Sequence, residues 1–206
     1  MAVVNGYVAL ADLKEVVGDD SPIDDSRYEA AIGAASRQID SWCGGGRHFW
    51  ATDTPLARRV FPFNRYLALP GFIASSAGLV VKTDDNGDGT FETTWAAGTD
   101  YQAQPSNQPN GEAFSRLVAV GTKGFPLSGR RESIEITATW GWTAVPELVR
   151  QSAQTLAIAL YKSKDFTGGD VGFNQTENLA GWSIYDLARS LIEQYQLNPT
   201  PRRATA

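Results

Sequence analysis

The sequence predicts an α+β protein in which helices and strands are segregated along the chain. Three observations carry that class. Apolar residues recur at offsets of three, four and seven through residues 24–46 and again after Pro146, the period of an amphipathic helix. Between these stretches, residues 58–142 break into short runs rich in aromatic and β-branched residues, bounded by glycine and proline, as strands are. The two patterns do not alternate, so helices, a β-rich block and further helices follow in sequence rather than as a βα repeat.

Residues 9–17, ALADLKEVV, place Leu10, Leu13, Val16 and Val17 on one face of a short helix that Gly18 ends. The linker DDSPI leads into DDSRYEAAIGAASRQIDSWCGGG, residues 24–46, whose Tyr28, Ala31, Ile32, Ala35, Ile39, Trp42 and Cys43 form one stripe. Asp24 is the expected N-cap, Ile23 and Tyr28 the expected hydrophobic staple, and the triple glycine the C-terminal stop. Two helices joined by so short a turn are expected to pack on each other.

Strands are expected at residues 58–63, 66–69, 79–82, 99–104, 115–120 and 133–142, with Pro70, Gly71 and Gly78 as breaks. TDDNGDGTFE, between VVK and FETTW, reads as a β-hairpin tip because Asn86-Gly87 and Asp88-Gly89 tolerate positive φ. In SIEITATW, Ile134, Ile136, Ala138 and Trp140 alternate with Glu135, Thr137 and Thr139, which predicts a sheet with one wet face. QPSNQPNGEA reads as a long exposed loop.

Pro146 suits a first helical position, with Glu147 near the positive end of the dipole and Leu148, Val149, Ser152, Leu156, Ala159 and Leu160 as the stripe. KSKDFTGGDVGFNQTENLAG is a glycine-rich linker. Ser183 with Asp186 resembles a capping pair, and Ile184, Leu187, Ala188, Leu191, Ile192 and Tyr195 make a last amphipathic helix that Asn198-Pro199 ends. The parts expected are 1–49 (helical), 50–143 (β-rich), 144–196 (helical) and an arm at 197–206.

At 206 residues and 42% hydrophobic content the chain can bury a sizeable core. A single cysteine excludes an internal disulfide and a thiol cluster, and a single histidine removes most transition-metal and Ser-His-Asp schemes. No apolar run approaches the roughly 18 residues of a membrane span, and the N-terminus lacks a basic flank with an h-region, so the protein is expected to stay in the cytoplasm where it is made. The net charge of −5 resides in residues 1–29, where Asp12, Glu15, Asp19, Asp20, Asp24, Asp25 and Glu29 face only Lys14 and Arg27. With the remainder neutral, no general basic field for nucleic acid is present. NPTPRRATA, in contrast, carries Arg202 and Arg203 and no acid.

Asp84-x-Asn86-x-Asp88-Gly89 copies the first half of an EF-hand calcium loop, but Trp95 stands where the bidentate glutamate belongs and the flanks read as strands. A hairpin turn is therefore the reading, with a weak cation site as the alternative. Cys43 and His48 flank the glycine turn, yet Cys43 falls on a buried stripe where a thiol is inert. GGGRHF lacks the lysine and hydroxyl residue of a phosphate loop and reads as a helix cap. Six tryptophans (42, 50, 95, 140, 142 and 182) are expected in cores or interfaces rather than on a sugar-binding platform, and Arg58-Arg59 and Arg130-Arg131 as salt-bridged surface pairs. Without paired carboxylates, a metal cluster or a nucleophile with its base, no enzyme activity, cofactor or metal is expected.

YVALADLKEVVG followed by DDSRYEAAIGAASRQIDSWCGGGRHF resembles the N-terminal signature of the head-tail connector (adaptor) proteins of long-tailed bacteriophages. In that pattern a LADLK-type helix precedes one reading EAAI-x-AAS-x-x-ID-x-x-CGR-x-F. Glu29 to Ile32, Ala34 to Ser36, Ile39-Asp40, Cys43-Gly44 and Phe49 fit, while Gly45 and Gly46 lengthen the turn before Arg47. Thr139 to Gln151, TWGW-x-x-VPELVRQ, resembles the family's entry into its third helix. The resemblance implies a four-helix adaptor frame with a large β insertion between its second and third helices. It further implies a structural virion protein at the head-tail interface, a dodecameric ring between the portal and the next neck or tail protein, a stopper or tail terminator. DNA would pass through the lumen without specific binding. On that reading Asp12, Glu15, Asp19 and Asp20 are candidates for an acidic lumen wall. Leu197, Asn198, Pro199, Thr200, Pro201, Arg202 and Arg203 would form a portal-binding arm. The competing readings are a β-sandwich module that binds a glycan or host surface, and a tail-completion protein of the same neck.

Overall fold

The computed structural model describes residues 3–44, 46–62, 66–107, 111–126, 132–163 and 183–196. Among them the elements run α1 (Leu10–Val17), α2 (Asp25–Cys43), β1 (Leu56–Val60), β2 (Tyr66–Ile73), β3 (Val80–Thr83), β4 (Thr93–Trp95), β5 (Tyr101–Gln104), β6 (Phe114–Ala119), β7 (Ile134–Ala138), α3 (Glu147–Ser163) and α4 (Ile184–Leu191). The fold is α+β. The chain divides into two compact units, Met1–Gly46 with Val145–Ala206, and Arg47–Ala144.

In the helical unit α2 packs mainly on α3, α1 touches both, and α4 lies on α3. The α2 stripe is as the period requires: Tyr28, Ala31, Ile32, Ala35, Ile39 and Cys43 are buried, and Trp42 is half-buried, edge-on to Tyr185 of α4. From α3 come Val149, Ser152, Ala153, Leu156 and Ala157, whose small members allow close approach. Each fully buried Leu or Ile contributes about 1.5–3 kcal/mol. Ser152 Oγ donates to the Ala188 carbonyl at 2.8 Å, which ties α4 to α3. Ser183 accepts from the Asp186 amide and caps α4 as expected.

Three local expectations fail. The helical turn begins earlier than Asp24, because Pro22 opens a 3-10 turn (Pro22–Asp24) whose cap is Ser21, accepting from the Ile23 amide. Asp24 does hold the N-cap position of α2, but its carboxylate makes no cap bond and instead accepts from Arg27 and from the Tyr161 hydroxyl at 3.1 Å. The staple is absent: Ile23 is 86% exposed, while Tyr28 turns inward and stacks on Tyr161 with ring centroids 4.1 Å apart. On α1 only Leu13 is fully buried and Val16 is 61% exposed, since two turns of helix present one residue squarely to the layer beneath.

Residues 3–8, which carry no periodic signal, strap themselves along α2. Tyr7 donates its amide to Ser36 Oγ and its hydroxyl to Asp40, and Arg37 bonds both Asp40 and the Asn5 carbonyl.

The β unit is a sandwich of two antiparallel sheets, ordered β1-β7-β3-β4 and β2-β6-β5. Leu67, Leu69 and Leu117 from one sheet and Val81, Trp95, Ile134, Ile136 and Trp140 from the other side share one core. Ile134, Ile136 and Ala138 point inward and Glu135 and Thr137 outward, the alternation their sequence specifies. Pro70-Gly71 does not end a strand but lies within β2, where the register to β6 shifts between Ala68 and Ile73. An edge strand tolerates this, since proline removes no required ladder donor there. Gly71 is needed for space: a Cβ would lie 2.6 Å from Arg58 Nη1 and 3.2 Å from the Trp140 ring.

Entry and exit of the β unit are stapled together. The Thr52 amide donates to the Trp140 carbonyl at 2.8 Å, Thr52 Oγ1 accepts from the Trp140 amide, and Gly141 donates to the Phe72 carbonyl at 2.7 Å. Gly141 has φ +108°, and a Cβ there would fall 1.9 Å from the Trp50 carbonyl oxygen.

Candidate functional site

The acidic approach to α2 is built from two exposed carboxylates and two engaged ones. Glu15 and Asp20 are exposed; Asp12, half-exposed on α1, faces Arg150 of α3 at 4.0 Å. Asp19 is part of the turn: it accepts from the Ser21 amide at 2.8 Å and from the Tyr28 hydroxyl at 3.0 Å. Those bonds, the amide first, hold its carboxyl below the ordinary value, while burial and the same contact push the Tyr28 phenol well above its own. Lys14 reaches across to Asp25 at 2.6 Å and to the Ser21 carbonyl, fixing α1 against the start of α2. The surface is therefore a rigid acidic ledge rather than a catalytic pair.

The 84–92 tip is the hairpin predicted between β3 and β4. Buried Asp84 accepts from the amides of Gly87 at 2.7 Å and Gly89 at 2.9 Å, Asn86 from Asp88, and Asp88 from Thr90. Gly87 and Gly89 have φ of 80° and 95°. One oxygen each of Asp84, Asp88 and Glu92 lies within 4.8 Å of the others, but Asp84 is committed to the turn and Trp95 is buried against Phe125, its indole N–H on Thr83. The Asp and Asn residues that imitate a calcium loop are accounted for by the turn they build.

His48 has both ring nitrogens engaged within the β unit, Nδ1 with the Trp50 carbonyl at 2.7 Å and Nε2 with Arg58 at 3.3 Å, and its ring stacks on Trp50. A carbonyl facing Nδ1 requires Nδ1–H, so Nε2 accepts from Arg58 and the imidazole is neutral. The expectation of a surface pair at Arg58-Arg59 holds for Arg59, on Glu135 at 3.3 Å, but not for Arg58. Arg58 sits on the inward face of β1 with its guanidinium over Trp140, and burial lowers its pKa. Sequence reasoning missed it because only strand register separates two adjacent arginines.

All five tryptophans among the described residues are buried or half-buried, so none forms an open sugar platform. Cys43 is buried on α2. The 164–182 linker with Trp182, Arg130-Arg131 and the arm at 197–206 lie outside the described residues. No helix among the described residues is long and apolar enough to cross a membrane.

No family model matches the chain, and no curated protein is significantly similar to it in sequence. Solved structures do match. A chain from the neck of an empty gene transfer agent particle, computed with C6 symmetry, aligns with a TM-score of 0.55 at 19% identity, covering 100% of this chain and 96% of the other. A chain from the virion of the native gene transfer agent particle aligns at TM-score 0.53, with the same identity and coverage. The helical unit and the β sandwich together therefore make up a fold that this chain shares, over its full length, with a protein of gene transfer agent particles.

Proposed function

We propose that the chain is a structural virion protein of a phage-like neck, a head-to-tail adaptor that forms a dodecameric ring between the portal and the next neck or tail component. The observation that carries this reading is the full-length fold likeness to a chain from a gene transfer agent neck. A partial match could reflect a shared helical hairpin; here the alignment covers 100% of this chain. DNA passes through the lumen without specific binding. Asp12, Glu15, Asp19 and Asp20 face it, and the acidic ledge keeps phosphates from adhering. The arm from Leu197 to Arg203, with two arginines and no acid, reaches the portal.

Electron microscopy of the full chain assembled with its portal and neck partners tests the reading. A ring between portal and tail is the expected result; a position at the tail end of the neck would make it a tail-completion protein instead. Deleting residues 197–206 abolishes co-sedimentation with the portal if the arm is the contact, and undiminished binding rejects that role. The acidic ledge found on the outer rim of the ring would reject the lumen assignment.

A further inference from the structure

We infer that in the unassembled chain the C-terminal arm, residues 197–206, docks on the acidic ledge of its own helical unit, over Val16 and Ile23 and against Glu15 and Asp20. The inference rests on the portal reading above and adds its regulation: the segment that meets the portal is held on the ledge until the portal displaces it.

The ledge has an apolar part that no described residue covers. Ile23 is 86% exposed in the turn before α2, and Val16 61% on α1. Exposed aliphatic groups rimmed by charge mark an interaction site. The charge itself is not neutralised by contact. Residues 12–25 carry Asp12, Glu15, Asp19, Asp20, Asp24 and Asp25 against Lys14 alone. Lys14 is committed to Asp25 and the Ser21 carbonyl, and Arg27, just beyond, to Asp24. Asp19 is held in its turn, and Asp12 has Arg150 at 4.0 Å. Glu15 and Asp20 are exposed and form no ion pair among the described residues. The arm supplies what this surface lacks: Leu197 and two prolines, then Arg202 and Arg203, with no acid. Guanidinium groups match carboxylates in geometry as well as charge.

The path of the chain brings the two together. α2 packs along α3 and begins beside its last turns, where Tyr28 stacks on Tyr161 and Tyr161 bonds Asp24, so the two helices are antiparallel. At the other end of α2, Trp42 meets Tyr185, and one turn further along α4 the Ala188 carbonyl accepts from Ser152. α4 therefore runs in the direction of α3. Gln196 lies as far beyond Ala188 in sequence as Leu160 lies beyond Ser152, so the arm leaves the unit at the Tyr161 end, where Asp24 and Ile23 stand. Crossing from α4 over α3 to α2 takes two interhelical spacings, about 16–20 Å. The stretch from Leu197 to Arg203 reaches about 23 Å when extended. At its root Gln196 is 7% exposed, and its Nε2 is buried without an acceptor among the described residues. A buried donor calls for an acceptor, and the first carbonyls of the docked arm provide one. The ledge is thus covered in the free chain and bared when the arm moves to the portal, so the acidic wall and the portal contact become accessible in one step.

Trypsin cleavage after Arg202 and Arg203 of the full-length chain, followed by intact mass, reads the docking without any portal. At low salt the wild type is cut about five- to tenfold more slowly than the Glu15→Gln/Asp20→Asn variant, and about 0.5 M salt removes the difference. Ile23→Ser, at an exposed position, speeds cleavage as well, whereas Glu92→Gln, which removes an exposed acid of the β unit, leaves the rate unchanged. Ile23→Cys with Thr200→Cys oxidises within one chain, native Cys43 being buried. The closed form fails to co-sediment with the portal and recovers on reduction. Equal cleavage of wild type and the Glu15→Gln/Asp20→Asn variant, or disulfides that form only between chains, would overturn the docking. A protected arm that cross-links within the chain, in a protein the portal ignores in both redox states, would leave the docking in place and remove the portal reading.

Discussion

Replacing Gly141 with alanine places a methyl group where the β unit holds its two ends together. Two costs are separable. At φ +108° a residue with a Cβ is strained by about 1–3 kcal/mol whatever the space around it. The Cβ would also lie 1.9 Å from the Trp50 carbonyl oxygen and 2.6 Å from its carbon, backbone atoms that cannot rotate away. Moving that carbonyl breaks its bond from His48 Nδ1 and strains the Thr52–Trp140 pair beside it, about 1 kcal/mol for each bond lost. The sum is about 4 kcal/mol, a large part of the 5–15 kcal/mol typical of a folded protein. Gly98→Ala is the control: its φ is +80° but nothing lies within 4 Å, so only the conformational cost of about 1 kcal/mol remains. Thermal unfolding followed by tryptophan fluorescence should therefore show Gly141→Ala melting about 6–12 °C lower than Gly98→Ala. Equal melting temperatures would refute the close approach.

Ser152→Ala leaves the buried Ala188 carbonyl without its donor and should cost about 1–2 kcal/mol, seen first as faster hydrogen exchange across Ile184–Leu191. Ser183→Ala, losing the α4 cap, should cost about 1 kcal/mol with the same local signature. Asp19, Asp88, Asp100 and Glu147 all have depressed carboxyl pKa values, from the amides of Ser21, Thr90 and Ala96 and from Arg150 respectively. A depressed folded-state value contributes stability above the unfolded pKa that is lost as pH falls through the folded one, so the melting temperature should drop on acidification below about pH 4. Asp40 has the opposite sign: burial raises its pKa, so its ionisation lowers stability as pH rises above about 4, and Asp40→Asn should gain on the wild type over that range. A melting difference that stays constant with pH would reject the burial of that carboxyl.

The α2 stripe was legible because its apolar residues keep a 3.6 period without interruption, and β7 because its alternation is strict. The hairpin between β3 and β4 announced itself through its glycines. What stayed hidden depends on neighbours in space. Pro22 adds a 3-10 turn ahead of α2, so the side-chain cap bond is made by Ser21 while Asp24 keeps only the cap position. Pro70-Gly71 reads as a break and becomes a bulge because β2 happens to lie at a sheet edge. The acidity of Asp12, Glu15, Asp19 and Asp20 was plain in the sequence, but not that Asp19 is taken up by Ser21 and Tyr28. The segment at residues 3–8 gave no warning of its hold on α2, since Tyr7 meets Ser36 and Asp40 only in the folded unit.

The staple between residues 50–52 and 140–141 also bears on the order of folding. For α2 to meet α3, the chain from Arg47 to Ala144 must be closed as a loop. Closing about a hundred flexible residues rather than about ten costs about 2 kcal/mol more in chain entropy. Once Thr52 and Trp140 are joined, the helices experience only a short tether. The sandwich is then a clasp that raises the effective concentration of α3 around α2, and damage at Gly141 should slow the assembly of helices that it never touches.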